Sequence, residues 1–232
     1  MAHGWSALMI ASLNGHDACV EALIRAGAQV NGKSGGGRTA LQWACSRARL
    51  TTVQLLLQHG AAANERDNTG DSALMKALWS RQGEGCALAL LAAGSNCSEA
   101  DDTGITPLHR ASVWAMHCVV LQLLQHGAVA PDVKNKRGET PAEYCRREWE
   151  VNAREYAMIP EQHRKAVVES LGRATRWRSR RLLLLLQARY RLGQDISAGR
   201  EEGMSTRLQV LWVVQRPDYG MEYIFRLIVT YL

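Results

Sequence analysis

The chain has 232 residues, long enough to bury a core without staples, and its 28 Lys and Arg against 22 Asp and Glu give a net charge of +6. The excess is local: residues 1–150 carry 14 basic and 14 acidic side chains, 151–200 carry 11 and 4, and 201–232 carry 3 and 4. Six cysteines form no CxxC pair and fall mostly inside apolar helical patterns, which speaks against a disulfide framework and for a reduced, intracellular setting, cytoplasmic or nuclear.

The N-terminal "MAHGWSALMIASLNGHDA" lacks a basic region ahead of an apolar stretch and meets Gly and His early, so it does not read as a signal peptide. Leu182 to Leu186 is the longest unbroken aliphatic run, far short of the roughly 18 to 20 residues that cross a bilayer. A soluble protein without a membrane span is expected.

From the first residues onward the chain repeats. Gly4, Gly37, Gly70, Gly104 and Gly138 are separated by 33, 33, 34 and 34 residues, and each leads into a related run: "SALM", "TALQ", "SALM", "TPLH" and "TPAE". A second glycine follows about 23 residues later, at Gly27, Gly60, Gly94 and Gly127. Ser6, Thr39, Ser72, Thr106 and Thr140 are placed to accept hydrogen bonds from the free amides of a helix start, and Pro107 and Pro141 suit the first turn, where a missing N–H costs nothing.

Leu8, Ala11, Leu41, Ala44, Leu74, Ala77, Leu108 and Ala111 then line one face of a first helix at i, i+3 spacing. Apolar pairs at Leu23–Ile24, Leu56–Leu57, Leu90–Leu91 and Leu123–Leu124 mark a second helix, ended by the later glycine in a left-handed conformation. Each unit is therefore two antiparallel helices and a projecting turn.

With "GITPLHRAS", "NGHDACVEALIRAGAQVN" and "VVLQLLQHGAV", the chain resembles the ankyrin-repeat family, whose period is 33 residues and whose signature is T-P-L-H-x-A. The resemblance covers about residues 2–148. It implies an all-α solenoid of four full helix-turn-helix repeats and a partial fifth, as residues 1–148, followed by a basic helical extension over 149–232. The departures are an Ala48–Arg49 where the first unit has Gly15–His16, one extra residue near "RQGEGCA", and a fifth unit that fades after "GETPAEYCRRE". The first unit opens at the initiator methionine without room for a polar outer cap, so either that unit frays or the chain is a truncated or mispredicted piece of a longer array, the latter being favoured.

Stacks of this family bind proteins through the turn tips and the exposed side of the first helix, which line a concave surface. Carried onto this chain, that implies partner-binding positions at Trp5, Leu13, Arg38, Arg47, Asp71, Trp79, Ile105, Trp114 and Arg137. Trp and Arg are the residue types that dominate binding hot spots. The bland alternative is that Trp79 and Trp114 cover gaps between neighbouring helices, and Trp43 reads as core.

Nothing in the sequence suggests an enzyme. His3, His16, His59, His109, His117 and His126 form no i, i+4 pair beside a carboxylate, so neither a metal nor a cofactor is expected. The resemblance to ankyrin repeats implies that His109 of T-P-L-H ties turns together by hydrogen bonds. "GKSGGGR" lacks the glycine and strand of a phosphate loop, and Asn31 and Asn64 read as turn residues that satisfy amides, although some family members are hydroxylated at this position.

Beyond about Glu148 a helix, a break at Pro160 and a second helix with Arg173, Arg176, Arg178, Arg180, Arg181, Arg189 and Arg191 are expected. This arginine-rich 173–191 helix either packs its Leu182–Leu186 side on the last repeat or meets nucleic acid, an anionic membrane or the import machinery. The terminal "IFRLIVTYL" vaguely resembles the end of an F-box-like segment, which implies a ubiquitin-ligase adaptor as the alternative to a monomeric scaffold that holds a protein partner.

Overall fold

The computed structural model describes residues 4–125 and 130–178. The chain divides into two compact parts, Met1–Ala174 and Thr175–Leu232, and the repeats lie in the first.

The described residues hold helices and no strand. Unit one is α1 (Ala7–Asn14) and α2 (Asp17–Arg25), unit two α3 (Ala40–Ser46) and α4 (Leu50–Gln58). Unit three is α5 (Ala73–Ala77), a single 3-10 turn at Arg81–Gly83, and α6 (Glu84–Ala92). Unit four is α7 (Pro107–Val113) and α8 (His117–Gln125); the fifth begins with α9 (Pro141–Val151), after which come α10 (Ala153–Tyr156) and α11 (161–178). First helices pack against first helices and second helices against second ones, which is the stacked arrangement that the period demands.

The helix starts lie where the sequence places them. Ser6, Thr39, Ser72 and Thr140 each accept the backbone N–H three residues on, at 3.2, 3.3, 3.4 and 3.4 Å. Three of the projecting tips are each closed by one side chain: Asp67, Asp101 and Asn135 accept the amides two and four residues ahead at 2.9–3.0 Å. Asn31 accepts from Ala62 N at 2.8 Å and Asn64 from Asn96 N at 2.8 Å, so both carry the turn chemistry expected of them and tie one unit to the next.

Leu8, Leu41, Leu74 and Leu108 are buried, and so are Ala11, Ala44, Ala77 and Ala111 against them. Val20, Val53, Leu56, Leu90, Val120 and Leu123 supply the second-helix side of the same core. Cys45, Cys86, Cys97 and Cys145 are buried free thiols, and burial pushes those of Cys86 and Cys145 up to about 11 and 12, which keeps them protonated and inert. Among the described residues no helix is long and apolar enough to cross a membrane.

The junction between the two helices of a unit is the same in units one, two and four. His16 N, Arg49 N and Met116 N each donate to the carbonyl five residues back at 3.0 Å. That turn needs a left-handed residue just before it, and Gly15 fills the place at φ 76°, whereas Ala48 and Ala115 are forced into φ 54° and 50°. A Cβ makes this conformation cost about 1 to 2 kcal/mol, partly offset by the greater freedom of glycine in the unfolded chain. Ala48→Gly and Ala115→Gly are therefore expected to stabilise the fold by about 0.5 to 1 kcal/mol each, read as a raised urea midpoint at unchanged slope.

The core does not stop at Glu148. Trp149 Nε1 donates to Val113 O at 2.6 Å, Tyr156 meets Trp114 edge-on at 5.0 Å, and Ile159, Val167 and Leu171 are buried. Residues 141–174 thus continue the core where the fifth unit would otherwise expose it. Leu182–Leu186, the arginines from Arg180 to Arg191 and the terminal "IFRLIVTYL" lie outside the described residues.

Candidate functional site

Three columns run along the tip and first-helix side of the stack, at the residues one, six and nine after each tip glycine. The first column is Trp5, Arg38, Asp71, Ile105 and Glu139; the second is Ile10, Trp43, Lys76, Arg110 and Tyr144. The third includes Leu13 and Trp79. Side chains from these columns touch across unit boundaries because stacking puts equivalent positions next to one another.

In units one to three they build a continuous row. Trp5 lies on Trp43 with ring centroids 4.2 Å apart. The Arg38 guanidinium stands 4.7 Å from the centre of the Trp43 ring and 5.7 Å from that of Trp79, and Lys76 Nζ stands 4.1 Å from the Trp79 ring centre. Trp5 is 37% exposed and Trp79 39%, so the row keeps indole surface open to solvent.

Beneath the row is a closed charge cluster. Lys76 is 1% exposed and pairs with Asp67 at 2.8 Å and Asp71 at 2.7 Å, while Arg38 Nε donates to Asp67 at 3.2 Å. Burial pushes the Asp67 carboxyl up, but hydrogen bonds from Lys76, Thr69 and the Asp71 backbone, together with the Lys76 charge, bring it down to about 2. Further along, Arg110 pairs with Asp101 at 2.9 Å, and Arg147 pairs with Glu139 at 2.5 Å.

The row gives way in units four and five to the histidine tie. Thr106 N donates to His109 Nδ1 at 3.3 Å, which leaves Nε2 to donate to Glu139 O at 3.1 Å. Burial pulls the His109 pKa down, outweighing the raising effect of Glu139 and Asp101, so the ring is held neutral. Gln42 does the same work in unit two: its Oε1 accepts Thr39 N at 2.9 Å, and its Nε2 donates to Glu65 O and Asp71 O at 2.8 and 2.9 Å.

Family models match this architecture over most of its length. Ankyrin repeats in three copies match residues 8–101, and a further ankyrin repeat matches 103–136. The chain is an ankyrin-repeat protein. Among curated proteins it is similar to ankyrin repeat and SOCS box protein 16 of Homo sapiens, 39% identical over 106 residues, which are 45% of this chain and 23% of that protein. The Mus musculus protein of the same name is 36% identical over 133 residues, 57% of this chain and 29% of its own. The E3 ubiquitin-protein ligase KEG of Arabidopsis thaliana is 31% identical over 153 residues, 65% of this chain and 9% of its own. The ankyrin chain therefore spans less than a third of each of these relatives.

The ankyrin stack distributes the nine sequence-chosen positions unevenly. Trp5, Arg38 and Trp79 come together in the row. Asp71 adjoins it through Lys76 but is buried, with its second oxygen unpartnered. Trp114 is half-buried against Tyr156, while Leu13 and Ile105 are half-buried in their own units. Arg47 and Arg137 are exposed and make no side-chain hydrogen bond or ion pair among the described residues.

Trp43 meets the expectation of a core residue only in part: it packs against the core but is half-buried and forms the middle of the row between Trp5 and Arg38. Sequence reasoning missed the whole second column, including Lys76, Arg110 and Tyr144. The available signal was that position six after the tip glycine holds a large residue in every unit.

Proposed function

We propose that this ankyrin stack is a non-enzymatic protein-interaction module whose partner binds along the indole and guanidinium row of units one to three. The observation that carries the reading is the row itself: two indoles more than a third exposed, flanking an arginine whose Nε is already held by Asp67. Rigid aromatic and guanidinium groups bury area with little loss of freedom, which is why they dominate binding energy elsewhere. Leu13, Arg47, Ile105, Trp114 and Arg137 extend the same surface as its rim.

The combined Trp5→Ala, Trp79→Ala chain should fold normally, since neither indole is buried. It is expected to lose partner affinity by about 30-fold or more, the consequence of a hot-spot loss of at least about 2 kcal/mol. Proximity labelling in cells with intact and variant chains reads this directly. A neighbour set unchanged by the double replacement sinks the assignment.

A second reading draws on the names of the relatives, one a SOCS box protein and another a ubiquitin ligase. In it the stack selects a substrate and residues 215–232 recruit ligase machinery. Ligase subunits retained by the whole chain and lost on deletion of 215–232 support it, and equal retention by both eliminates it. Binding of nucleic acid through 173–191 predicts instead an affinity that falls steeply with salt.

A further inference from the structure

The joint between units two and three and the joint between units four and five are each tied at the tips, by a side chain in the first helix, and by first-helix packing. Between units two and three, Asn68 N donates to Gly36 O at 3.1 Å, Gln42 reaches Glu65 O and Asp71 O, and α3 lies close along α5. Between units four and five, Lys136 N donates to Thr103 O at 3.0 Å, His109 reaches Glu139 O, and α7 lies close along α9.

The joint between units three and four lacks the first two ties and weakens the third. No backbone hydrogen bond crosses it among the described residues. Met75 occupies the place of Gln42 and His109, as Met9 does in unit one, and a thioether has no proton to donate; what sets the joint after unit three apart is that its first-helix packing is weak as well. α5 is only five residues long and meets α7 less closely than any other pair of neighbouring first helices meet.

Two buried polar atoms record the same gap. Where stacking brings the first column of a unit onto the second column of the next, as it brings Trp5 onto Trp43, the joint would bring Asp71 to Arg110. No ion pair joins them, and Asp71 Oδ1 and Arg110 Nε are each buried without a hydrogen-bond partner. At the turns two polar ties remain, Arg66 Nη2 to Ala100 O at 2.9 Å and Asn96 N to Asn64 Oδ1 at 2.8 Å, and each uses a side chain on one side.

A later segment spans the joint instead. Arg81 Nη2 of unit three donates to His163 Nδ1 at 3.4 Å, and His117 Nε2 of unit four shares a hydrogen bond with Ser170 Oγ at 3.2 Å. Between those two polar contacts, about one helical turn before Ser170, Val167 is fully buried, and Leu171 follows it into the core. Residues 161–174 therefore grip both sides.

We propose that the joint between units three and four is a hinge on which units one to three move against units four and five, with residues 161–174 as the strap that limits the motion. The open arrangement is the one in this structure; the closed one pairs Asp71 with Arg110. The partner-binding row lies on one side of the hinge, and the Arg110 and His109 ties lie on the other, so hinge position sets how far the tip side extends as one surface. The hinge works in the same way whichever partner that surface takes.

The chain carries its own probes, because Cys19 on α2 and Cys118 on α8 are the exposed thiols and the other four are buried. Spin labels on these two in the full chain give distances across the hinge by pulsed electron resonance. A chain with Cys118→Ser and Gln58→Cys gives the same measurement within units one and two. The distribution across the hinge is expected to be about twofold wider than the one within the block, as a bistable joint requires. Leu171→Ala should widen it further, and Met75→His, which restores a donor, should narrow it. Circular dichroism checks that each variant is folded, and the comparison of the two label pairs stands without the core variants. Equal widths for both pairs overturn the hinge; a wide distribution indifferent to Leu171→Ala in folded chain overturns the strap.

Discussion

Lys76→Met is expected to destabilise the chain by about 3 to 5 kcal/mol, the cost of stranding a buried charge after its partner is removed. Lys76 is 1% exposed, and both carboxylates it serves are nearly as deeply buried. After the replacement Asp67 retains Arg38, but Asp71 retains only the Thr69 hydroxyl at 3.3 Å for one oxygen and nothing for the other. Methionine matches the lysine stem in length, so the loss measures charge and not a cavity.

The pH dependence follows from Asp67. Its carboxyl is held at about 2 in the fold against an ordinary 3.8, so between about pH 4 and pH 2 the unfolded chain binds more protons than the folded one. That stabilisation is complete above pH 4 and is lost as the pH falls toward 2. In Lys76→Met, burial acts on Asp67 without the ammonium to oppose it, so the deficit relative to the parent should shrink on acidification. The chain with Lys76→Met, Asp67→Asn and Asp71→Asn together should recover most of the stability at pH 7. An amide at 67 keeps the tip closed, as Asn135 does in unit five with bonds of 2.9 and 3.0 Å. Urea unfolding of the three chains decides the matter: a deficit below about 1 kcal/mol, or no recovery in the triple replacement, ends the buried-charge account.

The same cluster shows where sequence reading stops. The helix starts were legible because a cap is a local contract between a hydroxyl and an amide three residues away, and the period of 33 and 34 residues repeats that contract five times. His109 was expected through the resemblance to other ankyrin repeats: its bond to Thr106 lies within one helical turn, but its reach to Glu139 O in the next unit is not local. Lys76 was not. A lysine in "SALMKALW" reads as a solvated side chain, and only the tip folding back over α5 brings Asp67 and Asp71 onto its ammonium.

Four members of the first column, Trp5, Arg38, Asp71 and Ile105, could be projected from the resemblance because they adjoin the tip glycine, whereas in the fifth unit Arg137 was chosen and Glu139 holds the place. The second could not, because it sits inside the apolar helix and its exposure depends on what the preceding unit places over it. That is how Trp43 came to be expected in the core, while Trp5 and Arg38 were expected outside. The role of residues 161–174 was hidden too: their Val167 and Leu171 are ordinary helix residues until tertiary packing buries them in the core of the stack.

Gly83→Ala is the second large loss, expected at about 3 kcal/mol or more, and it tests how the third unit absorbs its extra residue. The additional residue is taken up by the 3-10 turn Arg81–Gly83, folded against the end of α5. A Cβ at Gly83 would lie 1.8 Å from Ala77 O and 2.8 Å from Ala77 C, and backbone atoms cannot swing aside as a side chain can. Gly83 has φ −78° and ψ 3°, a conformation open to any residue, so the demand is for space alone. Relief requires the turn to lift from α5, which uncovers Ala77 and Leu78 and shifts Arg81 away from His163. Gly85, two residues on in α6, is the matched control: its Cβ would meet only the Leu50 side chain at 3.3 Å, and alanine gains up to about 1 kcal/mol over glycine in a helix. Calorimetry should therefore find Gly83→Ala melting well below the parent chain and Gly85→Ala close to it. Hydrogen exchange in the Gly83 variant should rise first in residues 77–92. Equal melting of the two variants would mean that the turn does not rest on α5, and the space for the extra residue would have to come from elsewhere in the unit.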